Sequence, residues 1–143
     1  MERFSILLIG GACLLPLLAG CGKGISVQGK VSFPDGKPLA TGIVCFQNEK
    51  TLARGRLDAN GTYRLSTNTP KEGLAEGTYK VYITEAFDRQ TFPLPTNDDE
   101  PIRYPIETPL IDAKFMNPET SGLSCNVVPG GKPFDITVDY PKK

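Results

Sequence analysis

Arg54-Gly55-Arg56-Leu57-Asp58-Ala59-Asn60-Gly61-Thr62-Tyr63-Arg64-Leu65-Ser66-Thr67 is the stretch on which the fold is decided. Tyr63, Leu65 and Thr67 alternate with Thr62, Arg64 and Ser66, the period of two by which a strand turns one face inward. Asp58 and Asn60 ahead of Gly61 are turn residues, so the segment predicts a hairpin of two short strands.

The same alternation extends to both sides. Ile25, Val27, Gly29, Val31 and Phe33 alternate with Ser26, Gln28, Lys30 and Ser32, and Pro34-Asp35-Gly36-Lys37 supplies a turn. Ile43-Val44-Cys45-Phe46 is a continuous apolar run, as in a central strand. Beyond Glu76-Gly77, Tyr79, Val81 and Ile83 oppose Lys80, Tyr82 and Thr84. Leu123, Cys125 and Val127 predict a further strand, as do Phe134, Ile136, Val138 and Tyr140, with Gly130-Gly131 as their turn; Leu110–Met116 reads as one helical turn. Residues 88–109 break the pattern with Pro93, Pro95, Pro101, Pro105 and Pro109, and read as a long Pro-rich loop in which Ile102, Tyr104 and Ile106 alternate. The expectation is an all-β chain: one antiparallel β-sandwich of about seven strands over residues 25–140.

Ahead of it, Met1-Glu2-Arg3 leads into the apolar stretch Phe4–Ala19. A bilayer-spanning helix needs about 20 apolar residues, and Pro16 interrupts this shorter run, so residues 1–20 read as a signal peptide. Leu18-Ala19-Gly20-Cys21 resembles a bacterial lipobox. That resemblance implies cleavage between Gly20 and Cys21, a diacylglyceryl group on the Cys21 thiol, acylation of the new amine, and residues 21–24 as a lipidated tether. Small Ala19 and Gly20 open the backbone to a peptidase, and a thiolate attacks a lipid donor far more readily than a hydroxyl. Several acyl chains anchor stably where one holds marginally. Gly22 in place of Asp, by similarity to proteobacterial lipoproteins, implies the outer membrane, facing the periplasm.

The whole chain carries 16 basic and 16 acidic side chains. Zero net charge and the lack of a basic run argue against a nucleic-acid partner. Fifteen Gly and thirteen Pro favour short strands and turns. There is no His, so this chain holds no Ser-His-Asp triad, no Cys-His pair and no His-ligated zinc.

Gly29-Lys30-Val31, Asp35-Gly36-Lys37-Pro38-Leu39, Gly42 and Val44-Cys45-Phe46 resemble the opening of a carboxypeptidase regulatory-like domain. Gly55 to Asp58 with Gly61-Thr62-Tyr63, and Glu76-Gly77-Thr78-Tyr79-Lys80-Val81, resemble its later strands. Pro118 to Leu123 is similar to small lipoproteins of the planctomycete type. The resemblance implies a transthyretin-like (prealbumin-like) sandwich, and its motifs are turn and core positions, which specify fold rather than activity. That fold also carries hydroxyisourate hydrolase, whose site uses histidines that this chain lacks. No catalytic, cofactor-binding or metal-binding residue carries over.

Other candidates have structural readings. Asp98-Asp99-Glu100 reads as a solvated loop tip rather than a Ca²⁺ site, and Asp58-x-Asn60-Gly61 as a turn. Lys30, on the polar phase of its strand, is poorly placed for an isopeptide bond. Cys45 and Cys125 would share an oxidising compartment. With Val44 and Phe46 inward they lie on different sides of a sheet and stay unpaired, Cys125 the more buried; the opposite phase would allow a disulfide. The reading is a non-catalytic, lipid-anchored envelope protein acting as a structural or interaction module, with an envelope protein or glycan as partner. The alternatives are a peptide- or glycan-binding lipoprotein, with residues 88–109 and the turn at 34–37 forming the binding edge, and a hydrolase using carboxylates.

Overall fold

The computed structural model describes residues 24–67 and 73–143. Residues 1–23, with Gly20 and Cys21, lie outside that range. The described chain is mostly β, with nine strands: β1 (Gln28–Ser32), β2 (Ile43–Gln47), β3 (Leu52–Arg56), β4 (Thr62–Arg64), β5 (Gly77–Thr84), β6 (Phe87–Gln90), β7 (Ile106–Pro109), β8 (Leu123–Val127) and β9 (Ile136–Thr137). A 3₁₀ turn, Ala113–Met116, is capped by Asp112, whose Oδ1 accepts from the Lys114 N–H at 3.0 Å.

Seven strands form two sheets with one core between them: a three-stranded sheet in the order β4-β1-β9 and a four-stranded sheet in the order β3-β2-β5-β8. Val27, Val31 and Tyr63 come inward from the first, and Val44, Phe46, Tyr79, Val81 and Ile83 from the second. Burying each such side chain contributes about 1.5–3 kcal/mol. Phe46 joins the layers, its ring 6.3 Å from Tyr63, 6.4 Å from Tyr79 and 5.7 Å edge-on from Phe134.

Four expectations change. The turn at 58–61 forms, with Asp58 Oδ1 accepting from the Asn60 and Thr62 N–H groups at 2.9 Å, but β3 and β4 part into different sheets and keep only a bridge at Arg54–Ser66. Alternation sets a strand's inward face, not its neighbour, and here the chain turns the corner of the sandwich. For the same reason Gly130-Gly131 leads between sheets: β8 pairs with β5, and β9 runs parallel to β1 (Val31 opposite Ile136), so the sandwich is not wholly antiparallel. Residues 88–109 are not all loop, because β6 and β7 pair as an antiparallel ribbon apart from the sandwich. Cys45, not Cys125, is the more buried thiol, at 2% exposure.

The sandwich has two distinct poles. At one, Ile25 and Leu74 exchange backbone hydrogen bonds of 2.8 and 2.9 Å, three residues ahead of β5. At the other, Ile43 lies opposite both Arg56 and Thr84, Val31 bonds to Gly61 at 2.8 Å, and the chain leaves β5 for β6. The eight residues of β5 separate the poles by about 25 Å.

Candidate functional site

The β6–β7 hairpin is the largest departure from the sandwich and the strongest candidate. Its register explains how prolines fit. The Leu110 N–H donates to the Ala86 carbonyl at 2.9 Å, so hydrogen-bonded pairs alternate from there and Pro109, opposite Phe87, falls at a non-bonded position that requires no N–H. Arg89 and Glu107 face each other at the next non-bonded pair, where side chains approach closest; Arg89 Nε donates to Glu107 Oε1 at 2.9 Å and its Nη2 contacts the same oxygen.

Between the two strands, residues 91–105 carry Leu94, Ile102 and Tyr104 at 83, 63 and 77% exposure, and Ile106 at the start of β7 is 53% exposed. The Arg103 guanidinium lies 5.8 Å from the Phe92 ring centre, a cation–π contact. Asp98, Asp99 and Glu100 form the tip, and Thr96 N–H donates to Glu100 at 3.4 Å. At the hairpin's root a cleft of about 510 Å³ is lined by Gly42, Arg56, Glu85, Phe87, Arg89 and Glu107. Glu85 holds a left-handed φ of 56°, uncommon for a side-chain-bearing residue.

The turn at 34–37 lies at the same pole and is tied to the segment after β9. Asp35 accepts from the Lys37 N–H at 3.1 Å and from the Tyr140 hydroxyl at 2.9 Å, and these bonds, that from Lys37 foremost, hold its carboxyl below the usual carboxylate range. The Tyr140 ring stacks on Phe33 with centres 4.0 Å apart. Lys114 donates to Asp139 at 2.8 Å, which raises the ammonium's pKa. Asp112 Oδ2 is buried without a hydrogen-bond partner, with Lys142 Nζ 3.8 Å away.

Among the described residues the two cysteines, Cys45 and Cys125, are both free. Cys45 lies opposite Tyr82 on β5 and Cys125 opposite Tyr79, and residues 79 and 82 point to opposite faces of that strand. The thiols therefore sit on different faces of one sheet and cannot converge. Arg54 and Tyr82 flank Cys45 on the outer face and shield it, a cover that the apolar pattern of β2 alone does not reveal. Burial pushes both thiols above their ordinary pKa, opposed at Cys45 by the Thr84 hydroxyl 3.8 Å away. Neither is an activated nucleophile.

Lys30 is exposed, and among the described residues no three His, Cys, Asp or Glu side chains are grouped to hold a metal ion. A second cleft, about 710 Å³, opens near the Ile25 pole beside Gln47, Asn48, Lys50, Glu76, Lys80 and Glu119, with Lys80 and Glu119 paired at 2.9 Å. Among the described residues no helix is long and apolar enough to cross a membrane. Comparison of the chain with family models, curated proteins and solved structures finds no match.

Proposed function

We propose that this chain is a lipid-anchored cell-envelope protein that works as a non-catalytic structural or interaction module, held by Cys21 in the outer membrane and facing the periplasm. One observation carries the reading: Leu18-Ala19-Gly20-Cys21 ends an apolar stretch of signal-peptide type, and the β-sheet pairing begins at Ile25, a few residues later. A transthyretin-like sandwich of the carboxypeptidase regulatory-like type is the proposed fold family, supported by the three-plus-four arrangement of strands and by the motif residues at turns and core positions. The non-catalytic reading is supported by the lack of His and by carboxylates engaged in structural work: Asp58 in a turn, Asp35 in a turn and a Tyr contact, Asp112 in a cap.

Peptide or glycan binding is the second reading, favoured by the two open clefts lined with carboxylates, amides and cations. Detergent phase partitioning of the expressed full chain tests the anchor. Wild type should enter the detergent phase while Cys21→Ser accumulates as uncleaved or unlipidated precursor; equal partitioning of fully processed chains would overturn the proposal.

A further inference from the structure

We infer that the domain stands on its bilayer with the β6–β7 hairpin at the far pole, where the hairpin docks the surface of another protein, apolar at its centre and rimmed by Lys and Arg. The orientation rests on the Cys21 anchor proposed above; the partner's chemistry rests on the hairpin itself.

Gly22 to Gly24 span about 10 Å when fully extended, and Ile25 is already locked to Leu74 by two backbone hydrogen bonds. The pole that carries Ile25 is therefore held close to the bilayer, and the hairpin's root lies the length of β5, about 25 Å, farther out. Of the six large hydrophobics exposed among the described residues, four belong to this hairpin: Leu94, Ile102, Tyr104 and Ile106. That concentration marks an interaction element rather than scattered surface apolars.

Charge selects the partner. Residues 88–109 carry five carboxylates against two guanidiniums, a net charge of −3 in a chain whose total is zero. Arg89 is paired with Glu107 and Arg103 lies over Phe92, whereas Asp98, Asp99 and Glu100 have no ion pair among the described residues. An anionic lipid surface repels such a tip, and a basic, apolar protein surface complements it.

The absence of Trp from the chain makes the test direct. Y104W reports from the hairpin and V128W from the Ile25 pole. Each full chain is reconstituted in phosphatidylcholine liposomes that carry a nitroxide quencher on the lipid headgroup, after its lipid content is confirmed by mass. V128W emission should be quenched and Y104W emission should not; the reverse pattern, or equal quenching, overturns the orientation. An amphipathic Leu/Lys peptide should then shift Y104W emission to the blue, with no shift from its Leu/Glu counterpart and none at V128W. Adding Leu94→Ser with Ile102→Ser should weaken that binding about tenfold. Equal response to both peptides, or no response to either, overturns the partner assignment. A preparation without lipid mass would defeat the Cys21 reading instead, and the peptide titration would still test the hairpin on that chain.

Discussion

The Tyr63 hydroxyl donates to the Phe134 carbonyl at 2.5 Å, and this hydrogen bond lies against Gly29. A Cβ on Gly29 would fall 1.9 Å from the Phe134 oxygen and 2.8 Å from the Tyr63 hydroxyl. Three segments distant in sequence thus meet at one point of the three-stranded sheet: β4, β1 and the approach to β9. The contact also explains why a bulky aromatic on a three-residue strand is buried to 1% exposure.

Tyr63→Phe keeps the ring and deletes the donor, so the Phe134 carbonyl loses its partner. The expected cost is about 1–3 kcal/mol, read from urea unfolding as a lower midpoint with an unchanged slope. Burial pushes the Tyr63 phenol well above its ordinary pKa. A raised folded-state pKa means its stabilisation is complete below the unfolded pKa, about 10, and declines as pH rises toward the folded value. Wild type should therefore lose stability in that alkaline window faster than Tyr63→Phe does; parallel curves would contradict the assignment.

Gly29→Ala places a methyl group where backbone stands, and rigid backbone cannot step aside as a side-chain tip can. We expect a loss of about 1–3 kcal/mol or more. In combination with Tyr63→Phe the two losses should sum to less than their separate values, since both disrupt one contact. Strict additivity in a double-mutant cycle would show that the sites are independent.

Replacing residues 91–105 with Asn-Gly joins Gln90 to Ile106 across a hydrogen-bonded pair, the geometry a two-residue turn requires. Most of the deleted side chains are exposed, so the urea midpoint should move by no more than about 0.5 kcal/mol in stability. A cooperative loss of fold would show that the hairpin braces the sandwich.

Thiol labelling separates Cys45 from Cys125. In native protein stripped of its leader, Cys125 should react slowly and Cys45 more slowly still, following their burial. Under denaturing, non-reducing conditions both should titrate; finding neither would mean a disulfide that the opposite faces of β5 forbid.

Much of the sandwich was legible because alternation reports which side chains turn inward. Val27, Val31 and Phe33, then Tyr79, Val81 and Ile83, are all buried on the phase their spacing indicates. Partner choice was not legible. Ile136 and Val138 alternate correctly, yet nothing local announces a parallel pairing with β1, which depends on a contact more than a hundred residues away. The ribbon was hidden for another reason: Pro109 sits at a position where its missing N–H has no consequence, so a residue that usually argues against a strand carries no such meaning here. Ile102, Tyr104 and Ile106 alternated visibly, but only the structure shows them to be solvent-facing. The burial of Cys45 followed from Arg54 and Tyr82 on neighbouring strands rather than from β2 itself.

Intact mass of the full chain expressed in a bacterium that processes lipoproteins, set beside Cys21→Ser, decides whether Cys21 carries a lipid anchor. The wild-type species should lack residues 1–20, start at Cys21, and be heavier than that polypeptide by a diacylglyceryl group and an N-acyl chain, with neither addition on Cys21→Ser. A mature wild-type species of bare polypeptide mass, or the same lipid increment on both chains, would contradict it.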